Sequence, residues 1–213
     1  MNSSDNWSFE EVSTGGLIEN QVSMCIDDNG NRVVAFATAQ SGSNKGGVFV
    51  ATSGSSGWTI ERIADTEHVT GWPHIAKGKD GRIGIVYNPG ETIGTLTYAL
   101  RGGTAWSSSL VTTGTEKCSI ATSLCFDAND NPVICYGVNP SEDEYGIYLA
   151  RLNGATWEQQ NLYKGSRKLW LGNPSVISDM KGPIYVAYGT VTPGGNLLNE
   201  PSNEIRFLRI DDK

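Results

Sequence analysis

WPHIAKGKDGRIGIVY, from Trp72 to Tyr87, is a short apolar run, a polar turn and a second apolar run that ends in an aromatic residue. The same pattern returns as VSMCIDDNGNRVVAF (Val22–Phe36), TSLCFDANDNPVICY (Thr122–Tyr136) and PSVISDMKGPIYVAY (Pro174–Tyr188). Asn-Gly, Asp-Gly and Asp-Asn readily take the backbone angles of a tight turn, so each copy predicts a β-hairpin. The hairpin strands are apolar on both faces, as in Val33–Phe36 and Ile134–Tyr136. That is the pattern of a sheet packed between two neighbours.

Four tryptophans set a longer period. Trp7, Trp58, Trp106 and Trp157 recur at intervals of 51, 48 and 51 residues, and each opens a strand-like run that alternates with polar residues. A further apolar run follows each hairpin, at Val48–Ala51, Thr97–Leu100, Ile147–Ala150 and Ile205–Leu208. A repeat of about fifty residues holding four strands describes the blade of a β-propeller. The fold class is therefore all-β, a propeller of four-stranded antiparallel blades, four in number, with the hairpins towards the axis and the Trp-led strands at the rim. The expected organisation is one domain over 1–213, with blade 1 at 16–66, blade 2 at 67–114, blade 3 at 115–165 and blade 4 at 166–213. Residues 1–15 supply the outer strand of the last blade, which closes the ring and removes an open sheet edge.

Length and charge narrow the function classes. At 213 residues the chain is long enough for one sizeable core. A formal net charge of -7 disfavours nucleic acid and anionic membrane surfaces as partners. No apolar run is long enough to span a bilayer, and the first residues lack the basic and apolar regions of a secretory signal, which leaves the compartment open. Cys25, Cys118, Cys125 and Cys135 form no metal-type pair. Cys25 and Cys125 share a repeat position with Ala76 and Ile177, so it reads as a core position holding free thiols, with Cys125 and Cys135 facing each other across a hairpin.

The succession of apolar strand, Asp-Gly turn, strand ending in Tyr, third strand and small-residue turn into Trp resembles the Asp-box (bacterial neuraminidase) repeat of sialidase-like propellers. The family's turn runs Ser-x-Asp-x-Gly-x-Thr-Trp, whereas this chain has NGATW at Asn153–Trp157, GGTAW at Gly102–Trp106 and SSGW at Ser55–Trp58, without the aspartate. The resemblance implies a propeller, an extracellular or cell-surface setting and a carbohydrate-related activity. An active sialidase would need three arginines clamping the substrate carboxylate. Arg101, Arg151 and Arg209 recur instead at one position at the end of the third strand, away from the axis, which argues against that activity.

Ligands of propellers usually meet the face built by segments entering the innermost strands and loops joining the second and third strands. The entering segments are the least alike of the repeats. They bring Glu19 and Asn20, then His68, Trp72 and His74, then Glu116 and Lys117, then Lys168, Trp170 and Asn173. Trp72 and Trp170 stand outside the fourfold period, and two readings stay open: rings that stack on a sugar, or plugs of the axial channel. His74 replaces Ser23, Ser123 and Ser175 at its repeat position, either as a general base or as a hydrogen-bonded strand residue. The joining loops add Glu91 and Glu142, acidic residues of the kind glycoside hydrolysis uses in pairs. The loop 189–203, with Leu197 and Leu198 at its centre, is a candidate protein-contact surface.

The candidate ligand-binding set is thus Asn20, Trp72, His74, Glu91, Glu142, Trp170 and Asn173, with no catalytic set, metal site or cofactor assigned. The leading expectation is a non-catalytic propeller that binds carbohydrate or another small polar ligand. A glycoside hydrolase or polysaccharide lyase, and an assembly scaffold, are the alternatives; monomer and homo-oligomer stay undecided.

Overall fold

The computed structural model describes residues 8–12, 18–38, 46–66, 73–89, 95–112, 117–139, 144–166, 174–191 and 203–211. Blade 1 is the meander β1 (Ile18–Ile26), β2 (Arg32–Thr38), β3 (Gly46–Gly54) and β4 (Gly57–Thr66). Blade 2 follows as β5 (His74–Lys77), β6 (Ile83–Tyr87), β7 (Thr97–Gly102) and β8 (Ala105–Leu110). Blade 3 comprises β9 (Lys117–Phe126), β10 (Pro132–Asn139), β11 (Glu144–Asn153) and β12 (Thr156–Ser166). Blade 4 has β13 (Ser175–Ser178), β14 (Ile184–Val191) and β15 (Asn203–Ile210). The result is an all-β, four-bladed propeller of antiparallel sheets.

The first hairpin of each blade forms where the turn chemistry places it. Asp27 accepts the backbone N–H groups of Asn29 and Asn31 at 2.9 and 2.8 Å, and Asp127 accepts those of Asn129 and Asn131 at the same distances. Each carboxylate thus holds its own turn closed. In blade 4 the turn is different: Met180 carries a φ of 58°, and Pro183 replaces the asparagine found in blades 1 and 3.

Apolar burial between neighbouring sheets holds the blades together. Val33, Ala35, Val48 and Val50 pack against Ile75, Ile83 and Ile85 between blades 1 and 2. Val86, Leu96 and Tyr98 meet Leu124, Ile134 and Tyr136 between blades 2 and 3. Val133, Cys135, Ile147 and Leu149 meet Val176, Ile184 and Val186 between blades 3 and 4. Each large side chain removed from water there contributes about 1.5–3 kcal/mol.

Two repeating polar ties sit on top of that burial. Near the axis, Ile75 N–H donates to Ser23 Oγ at 3.2 Å, Leu124 N–H to His74 Nδ1 at 3.3 Å and Val176 N–H to Ser123 Oγ at 3.0 Å. At the rim, the indole Nε1 of Trp106 donates to Glu61 at 2.9 Å and that of Trp157 to Ser109 at 3.2 Å, each reaching the residue three beyond the preceding tryptophan. Trp58 obeys the same rule, donating to Glu10 at 3.2 Å, three residues beyond Trp7. The N-terminal segment therefore stands in front of blade 1 where the outer strand of a preceding blade belongs. Residues 8–12 nevertheless carry no strand, and the fourth sheet has three strands among the described residues.

Successive inner strands lie side by side, β1 against β5, β5 against β9 and β9 against β13. No packing of that extent joins β13 to β1 among the described residues.

Register corrects two sequence expectations. Cys125 opposes Val133 and Cys135 opposes Ser123, so the two thiols are diagonal neighbours on one face rather than a facing pair. Neither is in a disulfide, and burial, with a smaller effect from Cys125, pushes Cys135 up to about 12. Hairpin positions Gly84, Val133 and Tyr185 oppose Leu100, Arg151 and Arg209, which leaves Arg101 one residue out of step. Arg101 lies over the Trp106 ring at 5.6 Å, a rim contact.

Candidate functional site

The described residues line an open depression of about 210 Å³ along the inner strands of blades 2, 3 and 4. His74, Ala76 and Lys77 come from β5, Ser123 to Phe126 from β9, and Ser175 to Ser178 from β13, with Met180 beyond the last strand. The position shared by His74, Ser123 and Ser175 recurs in the lining because the three inner strands are copies of one repeat.

His74 is the one member of the sequence-based ligand set whose side chain the structure describes. It opens β5 and lines the depression. Burial lowers its pKa below the ordinary imidazole value, so the ring is neutral at pH 7. Because Nδ1 accepts the Leu124 N–H, the single proton of the neutral ring belongs on Nε2. In that state the imidazole can donate a hydrogen bond but has no lone pair left with which to take a proton. In this state Nε2 offers a hydrogen-bond donor, and Nδ1 is engaged as the strand-to-strand acceptor.

The hydroxyls are unequally engaged. Ser123 Oγ is committed to Val176 N–H, and Ser178 Oγ accepts Met180 N–H at 2.9 Å. Ser175 makes no side-chain hydrogen bond within the described residues and is exposed. Val176, Leu124 and Phe126 form apolar walls. No carboxylate lines the depression among the described residues, nor do three His, Cys, Asp or Glu side chains gather there to hold a metal ion.

Asn20 lies in β1 at a shift of register between Ile18 and Val22, with its side chain outside the described residues. Trp72, Glu91, Glu142, Trp170 and Asn173 lie outside the described residues, as does 192–202 of the long loop. The structure adds Ser123, Ser175, Ser178 and Lys77 to the candidate list. Their signal was the repeat itself, since the serines share or neighbour the position at which His74 interrupts the series.

No protein-family model matches the chain, and no curated protein matches it in sequence. Solved structures do share its fold. A protein of unknown function from Dyadobacter fermentans DSM 18053 aligns with 91% of this chain and 54% of its own, at a TM-score of 0.64 and 19% identity. The GH93 α-L-arabinofuranosidase of Fusarium graminearum, in complex with arabinobiose, aligns with 90% of this chain and 62% of its own, at a TM-score of 0.62 and 10% identity. A PL25 polysaccharide lyase, an ulvan lyase, aligns with 96% of this chain and 57% of its own, at a TM-score of 0.59 and 17% identity. The chain spans little more than half the length of these structures.

Proposed function

We propose that this propeller recognises carbohydrate without cleaving it, with the ligand approaching the face at which the inner strands begin. The observation that carries the reading is the chemistry of the site along the inner strands: a neutral imidazole presenting a donor beside apolar walls, with no carboxylate in the described lining. Such a lining suits hydroxyl groups and the apolar face of a sugar ring. Carbohydrate-active enzymes share the fold, which favours a saccharide over other small polar ligands. In this reading Trp72 and Trp170 stack on the ring, Asn20 and Asn173 take hydroxyls, and Glu91 and Glu142 border the site. The sialidase-like kinship belongs to the same proposal.

A glycan-array screen of the purified chain tests it, with Trp72→Ala and Trp170→Ala as controls. Selective binding abolished by either substitution is expected, together with no turnover of the bound glycan. A folded chain that binds nothing on the array, or whose binding ignores both substitutions, overturns the reading. Turnover that survives His74→Ser and stops with Glu91→Gln or Glu142→Gln would instead make the protein a glycosidase or lyase.

A further inference from the structure

Three seams between blades are packed in this structure, and the same positions build each of them. The later blade offers Ile75, Leu124 or Val176 from its inner strand, at 3%, 2% and 2% exposure. The earlier blade offers Val48 and Val50, Leu96 and Tyr98, or Ile147 and Leu149 from the region of its third strand, none above 2%. The chain carries one more copy of each half, and both lie open. Met24 of β1, equivalent to Ile75, is 60% exposed, and Ile205 and Phe207 of β15, equivalent to Val48 and Val50, are 87% and 64% exposed.

Apolar exposure is concentrated there. Of the eight large apolar residues exposed among the described residues, Val22, Met24, Ile26, Ile177, Ile205 and Phe207 lie on these two faces and Phe9 on the segment in front of blade 1, leaving Leu110 elsewhere. Contiguous apolar surface of this kind on a folded domain marks a contact site.

The polar groups match as well. The axial ties pair Ile75 with Ser23, Leu124 with His74 and Val176 with Ser123. The fourth pair in the series is Met24 N–H with Ser175 Oγ, and that bond is not made. At the hairpin turns Lys77 meets Asp28 across the first seam. The equivalent positions at the open faces are Ile26 and Met180, an apolar pair in place of an ion pair. At the rim, Glu10 stands where an outer strand of a preceding blade belongs, while β15 is the last strand of its sheet among the described residues.

We propose that a second copy of this chain covers both faces. Blade 4 of each copy docks on blade 1 of the other, Ser175 accepts Met24 N–H of the other copy, and residues 8–12 of one copy add to the free edge of β15 in the other. A copy is the fitting occupant because each missing half is a surface this chain already presents. One two-fold operation supplies both at once and closes a head-to-tail contact into a ring. The new seams continue the three internal ones in position and chemistry.

The mass of the purified chain in solution tests this directly, by light scattering or sedimentation. Twice the chain mass of 22.9 kDa is expected. Met24→Asp and Phe207→Asp, each checked for retained β-structure by circular dichroism, are expected to halve the mass. Mixing the two variants is expected to restore pairing, because together they still hold one intact seam. A wild-type mass of a single chain overturns the proposal, whether blade 4 then closes on its own blade 1 or another protein covers the faces. A mass above two chains, variants that stay paired, or a mixture that stays unpaired overturn it equally.

Discussion

His74 Nδ1 accepts the backbone N–H of Leu124 across the seam between blades 2 and 3, the bond that Ser23 makes to Ile75 and Ser123 makes to Val176 through a hydroxyl. An imidazole and a serine hydroxyl are thus interchangeable acceptors at this position. His74→Ser is expected to keep the tie and leave stability nearly unchanged. His74→Ala strands the Leu124 N–H at a half-buried site and is expected to cost about 1–3 kcal/mol. Urea unfolding of the two variants beside the parent measures the difference.

The same residue gives the fold an acid-sensitive component. Burial holds the pKa of His74 below its ordinary value of 6.5, so at mildly acid pH the unfolded chain binds a proton that the folded chain does not. Its contribution is complete above pH 6.5 and is lost as pH falls through the lowered folded value. Thermal midpoints measured from pH 7.5 down to 5 are expected to fall less steeply for His74→Ser than for the parent.

The rim tryptophans act as ties as well as apolar wedges. Trp106→Phe keeps an aromatic ring for Arg101 to cover but removes the bond from Nε1 to Glu61. A loss of about 1 kcal/mol is expected. Adding Glu61→Ala to Trp106→Phe is expected to cost less than the sum of the two single changes, and a double-mutant cycle in urea reads that coupling.

Gly84 of β6 is held by close approach. A Cβ there would meet Tyr98 Oη at 2.7 Å, Tyr98 Cε2 at 2.8 Å and Phe126 Cζ at 3.1 Å. Tyr98 is itself fixed by an edge contact with Trp157 at 5.3 Å between ring centroids. Gly84→Ala is therefore expected to destabilise by about 1–3 kcal/mol through overpacking. Gly102→Ala meets nothing within 4 Å and serves as the control in the same melt.

The blades were legible because hairpin turns and strand alternation are local signals. Asp27 and Asp127 close their turns by bonds to residues two and four positions on, within reach of any reader of the sequence. The interval between tryptophans then gave the number of blades. What escaped were relations that cross about fifty residues. That Trp106 reaches Glu61, or that His74 accepts from Leu124, depends on the angle at which two sheets meet, and no local pattern encodes that angle. Register was similarly opaque, since the one-residue displacement of Arg101 and the diagonal relation of Cys125 and Cys135 follow from strand pairing rather than composition. Of the candidate ligand set, His74 was proposed on its break in the serine series, and Trp72 and Trp170 rest on the same kind of interruption.

Because every tie joins a blade to its neighbour in sequence, the molecule behaves as a short one-dimensional lattice. Within one copy, four units share three couplings among the described residues, so the inner two are each held twice and the outer two once, until a second copy supplies the other seams. Amide exchange in such an array runs fastest at its ends and slowest in β6 and β10, which have a neighbour on both sides. Growth is equally simple: one more fifty-residue unit adds one more coupling of a kind already present and disturbs none of the others.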